Sequence, residues 1–177
     1  MSSERRRYIP IGFVKKETIC SNTNYLVPDA SLFLFGVIQS EMRMAWMRTV
    51  CGRLESRYRY SASIVYNNFP WPEPTDAQRK VIESAAQAVL DARAQFPDAT
   101  LADLYDPLSM PPDLVRAHQQ LDRAVDAAYG RKSFASEAER VAFLFERYQA
   151  ITSLLPAATT RKPGKKPAKQ PDHDPLP

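Results

Sequence analysis

Three prolines at alternate positions, Pro70, Pro72 and Pro74, constrain the fold of this chain more than any other feature. Proline has no backbone N–H and restricts the residue before it to extended conformations, so regular structure cannot continue through this stretch. We therefore predict a first domain at residues 1–72 and a second at residues 73–155. Residues 156–177 are rich in Lys and Pro and nearly free of apolar side chains, which predicts a disordered basic tail.

Helix signals recur throughout the second domain. In two places a Ser or Thr precedes a Gln or Glu by three residues, the capping-box pattern that opens a helix, and apolar residues then follow at helical spacing. A Pro-Pro pair suits the first turn of a further helix, and a glycine marks its end. These signals, at Thr75/Gln78, Ser136/Glu139, Pro111-Pro112 and Gly130, predict a small helical bundle.

The first domain combines extended segments with a helix. Apolar residues are dense from Leu32 to Cys51, Ser31 suits the N-cap and Gly52 the end, so we predict one long helix over this range. Tyr8–Val14 reads as an edge strand or a loop, and Ser61–Phe69 as an extended segment. The predicted fold class is therefore α+β, with short strands and one long helix before the bundle.

A row of arginines follows the predicted helix. If residues 53–59 are extended, Arg53, Arg57 and Arg59 share one face of a strand with Glu55, because side chains alternate along a strand. Guanidinium groups bind phosphate and guanine in bidentate fashion. We predict contacts to double-stranded DNA from five arginines and two tyrosines: Arg43, Arg48, Arg53, Arg57, Arg59, Tyr58 and Tyr60. Ion pairing with nearby carboxylates is the competing interpretation of the arginines.

The distribution of charge agrees with a polyanion contact confined to the first domain. Residues 1–70 carry 10 Lys/Arg and 5 Asp/Glu, residues 71–155 carry 9 and 13, and residues 156–177 carry 5 and 2. A basic first part therefore precedes an acidic helical part.

Catalytic, metal-binding and cofactor-binding patterns are not evident. The two cysteines and two histidines have no metal-ligand spacing, and no glycine-rich turn follows a predicted strand. We therefore expect no catalytic residue, no metal and no cofactor bound by this chain. The N-terminus lacks the apolar core of a signal peptide, and Leu32–Ile38 is too short to span a bilayer, so we expect a cytoplasmic chain without a membrane partner.

The segment Asn68-Phe69-Pro70-Trp71 looks similar to the Asn-Pro-Pro-aromatic loop with which amino-methyltransferases hold a flipped base. Phe69 replaces the first proline, and fewer than 70 residues precede the segment. We interpret Asn67, Asn68, Phe69 and Trp71 as a structural anchor that joins the two domains.

Long phrases of the chain resemble the later part of MmeI-like (type IIL) restriction–modification proteins. They are RRYIPIGF at 6–13, the Ser21-Asn22 turn, LFGVIQSEMRMAWMRTVCGRL at 34–54, YRYSASIVYNNFPWPEP at 58–74 and the helical region at 91–130. In that family one polypeptide carries a nuclease, an adenine-N6 methyltransferase that binds S-adenosylmethionine, a target recognition domain and a C-terminal helical region. The resemblance covers only the end of the recognition domain and the helical region.

The resemblance implies DNA sequence recognition in support of methylation, without catalysis by this chain alone and with S-adenosylmethionine bound in the parent enzyme. A second hypothesis is a protein–protein module that docks on a separate methyltransferase subunit without touching DNA. Because the resemblance begins part-way into the recognition domain, an excised fragment, a gene remnant and a separate subunit all stay open.

Overall fold

A computed structural model describes residues 5–21, 24–55 and 57–153 of the 177-residue chain. Within these residues the chain forms six α-helices, one π-helical turn and a two-stranded sheet, so the α+β prediction is confirmed. The predicted tail at residues 156–177 lies outside the described residues. In chain order the elements are α1 (Leu32–Ile38), α2 (Glu41–Val50), β1 (Gly52–Leu54), β2 (Arg57–Arg59), the π-helical turn (Ala62–Tyr66), α3 (Asp76–Ala94), α4 (Leu101–Leu104), α5 (Pro112–Ala128) and α6 (Glu137–Ser153).

The single long helix predicted over Leu32–Cys51 is wrong, because the chain breaks into α1 and α2 at Ser40. Ser31 caps α1 as predicted, since its side chain accepts a hydrogen bond from the Leu34 N–H. Ser40 is extended, its hydroxyl donates to the carbonyl of Val37 at 2.7 Å, and the same oxygen accepts from the Arg43 N–H. One serine therefore ends the first helix and caps the second, which a count of apolar residues could not reveal.

The helices of the second part begin where their caps predicted. Thr75 and Gln78 form a complete capping box at α3, and Pro112 occupies the first turn of α5. At α6 the Ser136 hydroxyl accepts from the Glu139 N–H, although the Glu139 carboxylate reaches the N–H of Ala135 instead of that of Ser136. Gly130 follows α5 with φ +75°, the left-handed conformation that favours glycine.

One hydrophobic core joins the two parts of the chain. Side chains from α1 and α2, such as Val37 and Met44, belong to the same buried cluster as Ile82 of α3, Leu121 of α5 and Leu144 of α6. The division at residue 72 stays a prediction, since this core runs across it. The apolar run Leu32–Ile38 contributes to this core, because its residues are half-buried or buried.

A buried carboxylate on α5 ties α2 and the N-terminal segment to the bundle. Asp122 accepts hydrogen bonds from the Tyr8 hydroxyl at 2.6 Å and from the Glu41 N–H, the first residue of α2, at 2.7 Å. The segment around Tyr8 is a loop, one of its two predicted states. Its carbonyl groups bind buried donors as well, since Gln39 donates to Ile9 and Arg93 donates to Ile11.

His118 of α5 lies buried in this polar cluster. Its ring stacks on Tyr8 with centroids 4.0 Å apart, and its Nε2 lies 2.7 Å from the Tyr105 hydroxyl. Burial, reinforced by the positive charges of Arg93 and Arg7, lowers the pKa of His118 to about 3.

Among the described residues, no helix is both long enough and apolar enough to cross a bilayer.

Replacing Gly36 by valine is expected to lower the free energy of unfolding by about 2 kcal/mol through overpacking. A Cβ at Gly36 would lie 2.9 Å from Ile82 Cγ2 and 3.2 Å from Leu121 Cδ1, where α1 crosses α3 and α5. Urea unfolding measures the loss. Gly52→Val is the matched control, because a Cβ at Gly52 meets no atom within 4 Å and valine favours strands. Equal stabilities of the two variants would contradict this account of the crossing.

His118 is expected to make the fold less stable as the pH falls. The unfolded histidine takes up a proton below its ordinary pKa of about 6.5, whereas the folded one does so only near 3, so its contribution is present above 6.5 and is lost between these values. The loss should reach about 2 kcal/mol at about pH 5. Asp122 acts in the opposite sense, since burial raises its pKa to about 7 and the folded state gains stability as the pH falls from there.

Comparing the native chain with His118→Gln removes the contribution of Asp122, which both proteins share. Urea unfolding at about pH 7.5 and about pH 5 should show a smaller loss of stability on acidification for His118→Gln than for the native chain. The same pH dependence in both proteins would rule out His118 as its source.

Candidate nucleic-acid interface

The arginine row lies on a β-hairpin, not on one extended strand. β1 and β2 pair antiparallel with Gly52 opposite Arg59, Arg53 opposite Tyr58 and Leu54 opposite Arg57. The chain reverses at Glu55, which has a φ of +56°. The predicted shared face of Arg53, Glu55, Arg57 and Arg59 is therefore wrong. No Asn-Gly or Asp-Gly pair marks the reversal in the sequence, which is why the alternation read as a single strand.

The two faces of the hairpin have different roles. Directly paired residues share a face of an antiparallel sheet, so Arg53 lies with Tyr58, while Arg57 and Arg59 lie with Leu54 on the other face. Tyr58 is buried, whereas Arg57 and Arg59 are exposed and Leu54 retains 51% of its surface. The guanidinium of Arg53 lies 4.7 Å from the Tyr58 ring centroid and is itself exposed. The outward face of the hairpin thus presents Arg57 and Arg59.

Arg43 is fully buried, so the prediction that it contacts DNA is wrong. Its Nη1 donates to the carbonyl of Val65 at 2.8 Å and its Nη2 donates to the Tyr60 hydroxyl. Its Cζ lies 4.5 Å from the ring centroid of Phe69. Burial lowers the pKa of Arg43, while the neighbouring tyrosine oxygens oppose that shift. Arg43 therefore holds the interior of the first part together.

Arg48 is engaged by other parts of the chain. Its guanidinium forms an ion pair with Glu137 at the start of α6 and donates to the carbonyl of Arg7 at 3.1 Å. Its side chain keeps 22% of its surface. Arg48 is thus ion-paired within the chain, as the competing interpretation of the arginines expected. Its contact with DNA stays a prediction.

The two tyrosines of the hairpin region, Tyr58 and Tyr60, turn most of their surface toward the interior of the protein. The Tyr58 ring is buried beneath Arg53, so the prediction that it contacts DNA is wrong. Tyr60 is half-buried, its hydroxyl accepts from Arg43, and its carbonyl accepts from the Tyr25 hydroxyl at 3.3 Å. Whether the remaining surface of Tyr60 meets DNA stays a prediction.

The predicted extended segment Ser61–Phe69 is wrong, because residues Ala62–Tyr66 form a π-helical turn. The turn ends at Asn67, whose N–H donates to the carbonyl of Ala62 at 2.9 Å. The Asn68 side-chain amide then donates to the carbonyls of Ser63 and Ile64 at 3.0 and 3.2 Å. The two asparagines therefore close this turn, and both stay exposed.

Phe69 and Trp71 pack against aromatic side chains of α2 and of the π-helical turn. Phe69 is buried with its ring 5.1 Å from that of Trp71 and 6.3 Å from that of Trp46 on α2. The Tyr129 hydroxyl, at the end of α5, donates to the carbonyl of Pro70 at 2.8 Å. Sequence reasoning missed two members of this packing, Tyr66 and the carbonyl of Val65, although the aromatic density of the segment signalled a cluster.

Neither a metal-ligand cluster nor a disulfide occurs among the described residues. In this part of the chain, His, Cys, Asp and Glu side chains nowhere gather in threes close enough to hold a metal ion. Cys20 and Cys51 are both free. The hairpin instead presents guanidinium groups with alternate-residue spacing, an arrangement suited to recognising phosphate or base edges.

Both parts of the chain match known protein families. Residues 1–73 match the family described as MmeI, target recognition domain, and residues 74–156 match MmeI, C-terminal domain. DNA methyltransferase A of Bacillus subtilis (strain 168) is 44% identical over 152 residues, which are 86% of this chain and 17% of that protein.

A solved structure has the same fold and greater identity. The type IIL restriction–modification enzyme MmeI, determined in complex with DNA, superposes with a TM-score of 0.84 at 56% identity over 86% of this chain and 20% of that one. The chain thus spans about a fifth of the length of these relatives. On these grounds the chain belongs to the MmeI-like type IIL restriction–modification family, with residues 1–73 from its target recognition domain and residues 74–156 from its C-terminal domain.

Proposed function

We propose that this chain is the DNA sequence recognition segment of an S-adenosylmethionine-dependent adenine-N6 methyltransferase and that its β-hairpin contacts the duplex. The observation that carries the proposal is the outward face of the hairpin, where Arg57 and Arg59 are exposed on a strand whose other face is buried through Tyr58. Membership in the family's target recognition domain and the DNA complex of the solved relative support it. A role on DNA also fits the cytoplasmic location expected from the sequence.

The geometry of a two-stranded ribbon suits the major groove. B-DNA admits such a ribbon there, and arginine is the side chain that most often reads guanine. Arg57 and Arg59 stand two residues apart on β2, a separation of about 7 Å, roughly the rise of two base pairs. The hairpin therefore spaces its guanidinium groups to meet neighbouring bases or the phosphates beside them.

Methyl transfer belongs, in this proposal, to another part of the enzyme. Of the glycines in the described residues, at 12, 36, 52 and 130, none opens a helix directly after a strand, which is where S-adenosylmethionine sites carry their glycine-rich turn. The residues described here therefore do not fit the cofactor. It would bind in a methyltransferase domain or subunit, the chemistry of which the hairpin would direct to its site.

The chain also presents a surface for that catalytic partner. Exposed apolar side chains cluster in sequence between residues 13 and 27, outside the hairpin: Phe13, Val14, Ile19, Tyr25, Leu26 and Val27. Large apolar side chains on a protein surface mark contacts with another domain or chain. We propose that the methyltransferase portion, present in relatives about five times longer, covers them.

Changing Arg57 and Arg59 together to alanine is expected to weaken DNA binding by at least about tenfold, because each good arginine contact contributes about 1–3 kcal/mol. Fluorescence anisotropy with a mixed-sequence duplex, over a series of salt concentrations, measures the effect. If the two arginines touch phosphates, the slope of log affinity against log salt should also fall by up to about 2.

The control removes two arginines from the bundle. Arg116 and Arg123 are exposed on α5, and Arg116→Ala/Arg123→Ala changes the net charge by the same amount. This variant should bind DNA nearly as the native chain does. Equal losses in the two double variants, or native affinity for Arg57→Ala/Arg59→Ala at low salt, would contradict a DNA-contacting hairpin and favour a module that only docks on a methyltransferase subunit.

A further inference from the structure

We propose that Arg43 is the positioning residue of the hairpin: its buried cation gathers the segment that follows β2 and thereby fixes the direction in which Arg57 and Arg59 point. This proposal rests on the proposed DNA contact of the hairpin. Arg43 itself touches no DNA, since it has no exposed surface.

The hairpin needs such support because it is small. β1 and β2 contain three residues each and form three residue pairs. A two-stranded hairpin is marginally stable in water, so the body of the protein must hold its shape and orientation. The contacts that connect it to the body include the buried Tyr58 and the segment leaving β2, which begins with Tyr60.

The guanidinium of Arg43 lies in a cage of four aromatic rings, all from the segment between β2 and α3. The distances from its Cζ to the ring centroids are 4.5, 5.6, 5.7 and 5.7 Å, for Phe69, Tyr66, Tyr60 and Trp71 respectively. A cation over aromatic faces is attracted by their quadrupoles, more strongly when both are desolvated. One side chain on α2 therefore holds a connector of twelve residues, 60–71, in place.

Two hydrogen bonds orient the Arg43 guanidinium within the cage. Nη1 donates to the carbonyl of Val65 inside the π-helical turn, where Trp46 Nε1 also donates at 3.1 Å. Nη2 donates to the hydroxyl of Tyr60, the residue directly after Arg59. Because a guanidinium is planar, these two acceptors fix both its orientation and the spacing between the end of β2 and the turn.

A second buried arginine offers a matched control. Arg93 on α3 is buried, donates to the Tyr105 hydroxyl and to the carbonyl of Ile11, and lies over the rings of Phe35 and Tyr105. It has the same kinds of contact as Arg43, but it holds the N-terminal segment. Loss of Arg93 should cost stability without changing the direction of the hairpin.

The experiment compares Arg43→Met with Arg93→Met in the full chain, with a mixed-sequence duplex as the probe. Arg43→Met is expected to lower the DNA affinity of the folded protein about tenfold, whereas Arg93→Met leaves it within about twofold of the native value. The chain has two tryptophans: Trp71 is one of the four rings of the cage, and Trp46 shares the Val65 carbonyl with Arg43. Tryptophan fluorescence should therefore change in Arg43→Met and not in Arg93→Met.

A double-mutant cycle tests the connection to the hairpin. If Arg43 acts by aiming Arg57 and Arg59, their joint replacement by alanine should cost less affinity in the Arg43→Met background than in the native chain and the full amount in the Arg93→Met background. Additive losses in the Arg43→Met background would overturn the positioning role.

Tyr60→Phe covers the case in which Arg43→Met does not fold. This change keeps the aromatic ring and removes only the oxygen that accepts from Arg43, and it is expected to weaken DNA binding about threefold. Native affinity in Tyr60→Phe and in any folded Arg43→Met, together with weakened binding in Arg57→Ala/Arg59→Ala, would overturn the positioning role alone. Native affinity in Arg57→Ala/Arg59→Ala would overturn the DNA contact of the hairpin and the positioning role with it.

Discussion

The carboxylate of Asp122 is the contact on which the arrangement of the chain depends. One of its oxygens accepts from the first N–H of α2 and the other from the Tyr8 hydroxyl, so α5 holds both the start of α2 and the N-terminal segment. The N-terminus of a helix carries partial positive charge, which favours a carboxylate there, although burial prevails and raises the pKa of Asp122 to about 7. This contact directs α2 along the bundle, and α2 in turn carries Arg43 and Trp46 toward the segment after the hairpin.

Local signals in the sequence predicted most of the helices because those signals act within four residues. Ser31, Thr75 and Pro112 stand where helices begin, and Gly130 follows α5 in the left-handed conformation that its position suggested. The break at Ser40 obeys the same chemistry, since a serine hydroxyl competes for backbone partners. It was hidden by the apolar residues on both sides, which are buried against different helices and so give no common periodicity.

The hairpin and its support could not be predicted in this way because they depend on contacts between distant residues. Nothing in the alternation from Arg53 to Arg59 distinguishes one strand from two strands that reverse at Glu55. Arg43 and Arg57 are both arginines in a basic stretch, yet one is buried and the other exposed. The difference arises because the rings around Arg43 come from residues 60–71, a segment that contains the π-helical turn and packs against α2.

The helical second part of the chain holds the first part in place through several contacts. Its residues hold the first part at several separate points: Asp122 at the start of α2, Glu137 at Arg48, and Tyr129 at the carbonyl of Pro70. Arg140 of α6 adds ion pairs to Asp126 and to Glu41 of α2. A hairpin of three residue pairs is too small to hold its own orientation, so the proposed DNA contact requires a rigid body behind it. The shared core and these buried polar contacts make the two matched regions one support for the hairpin, which explains in physical terms why they occur together in this chain.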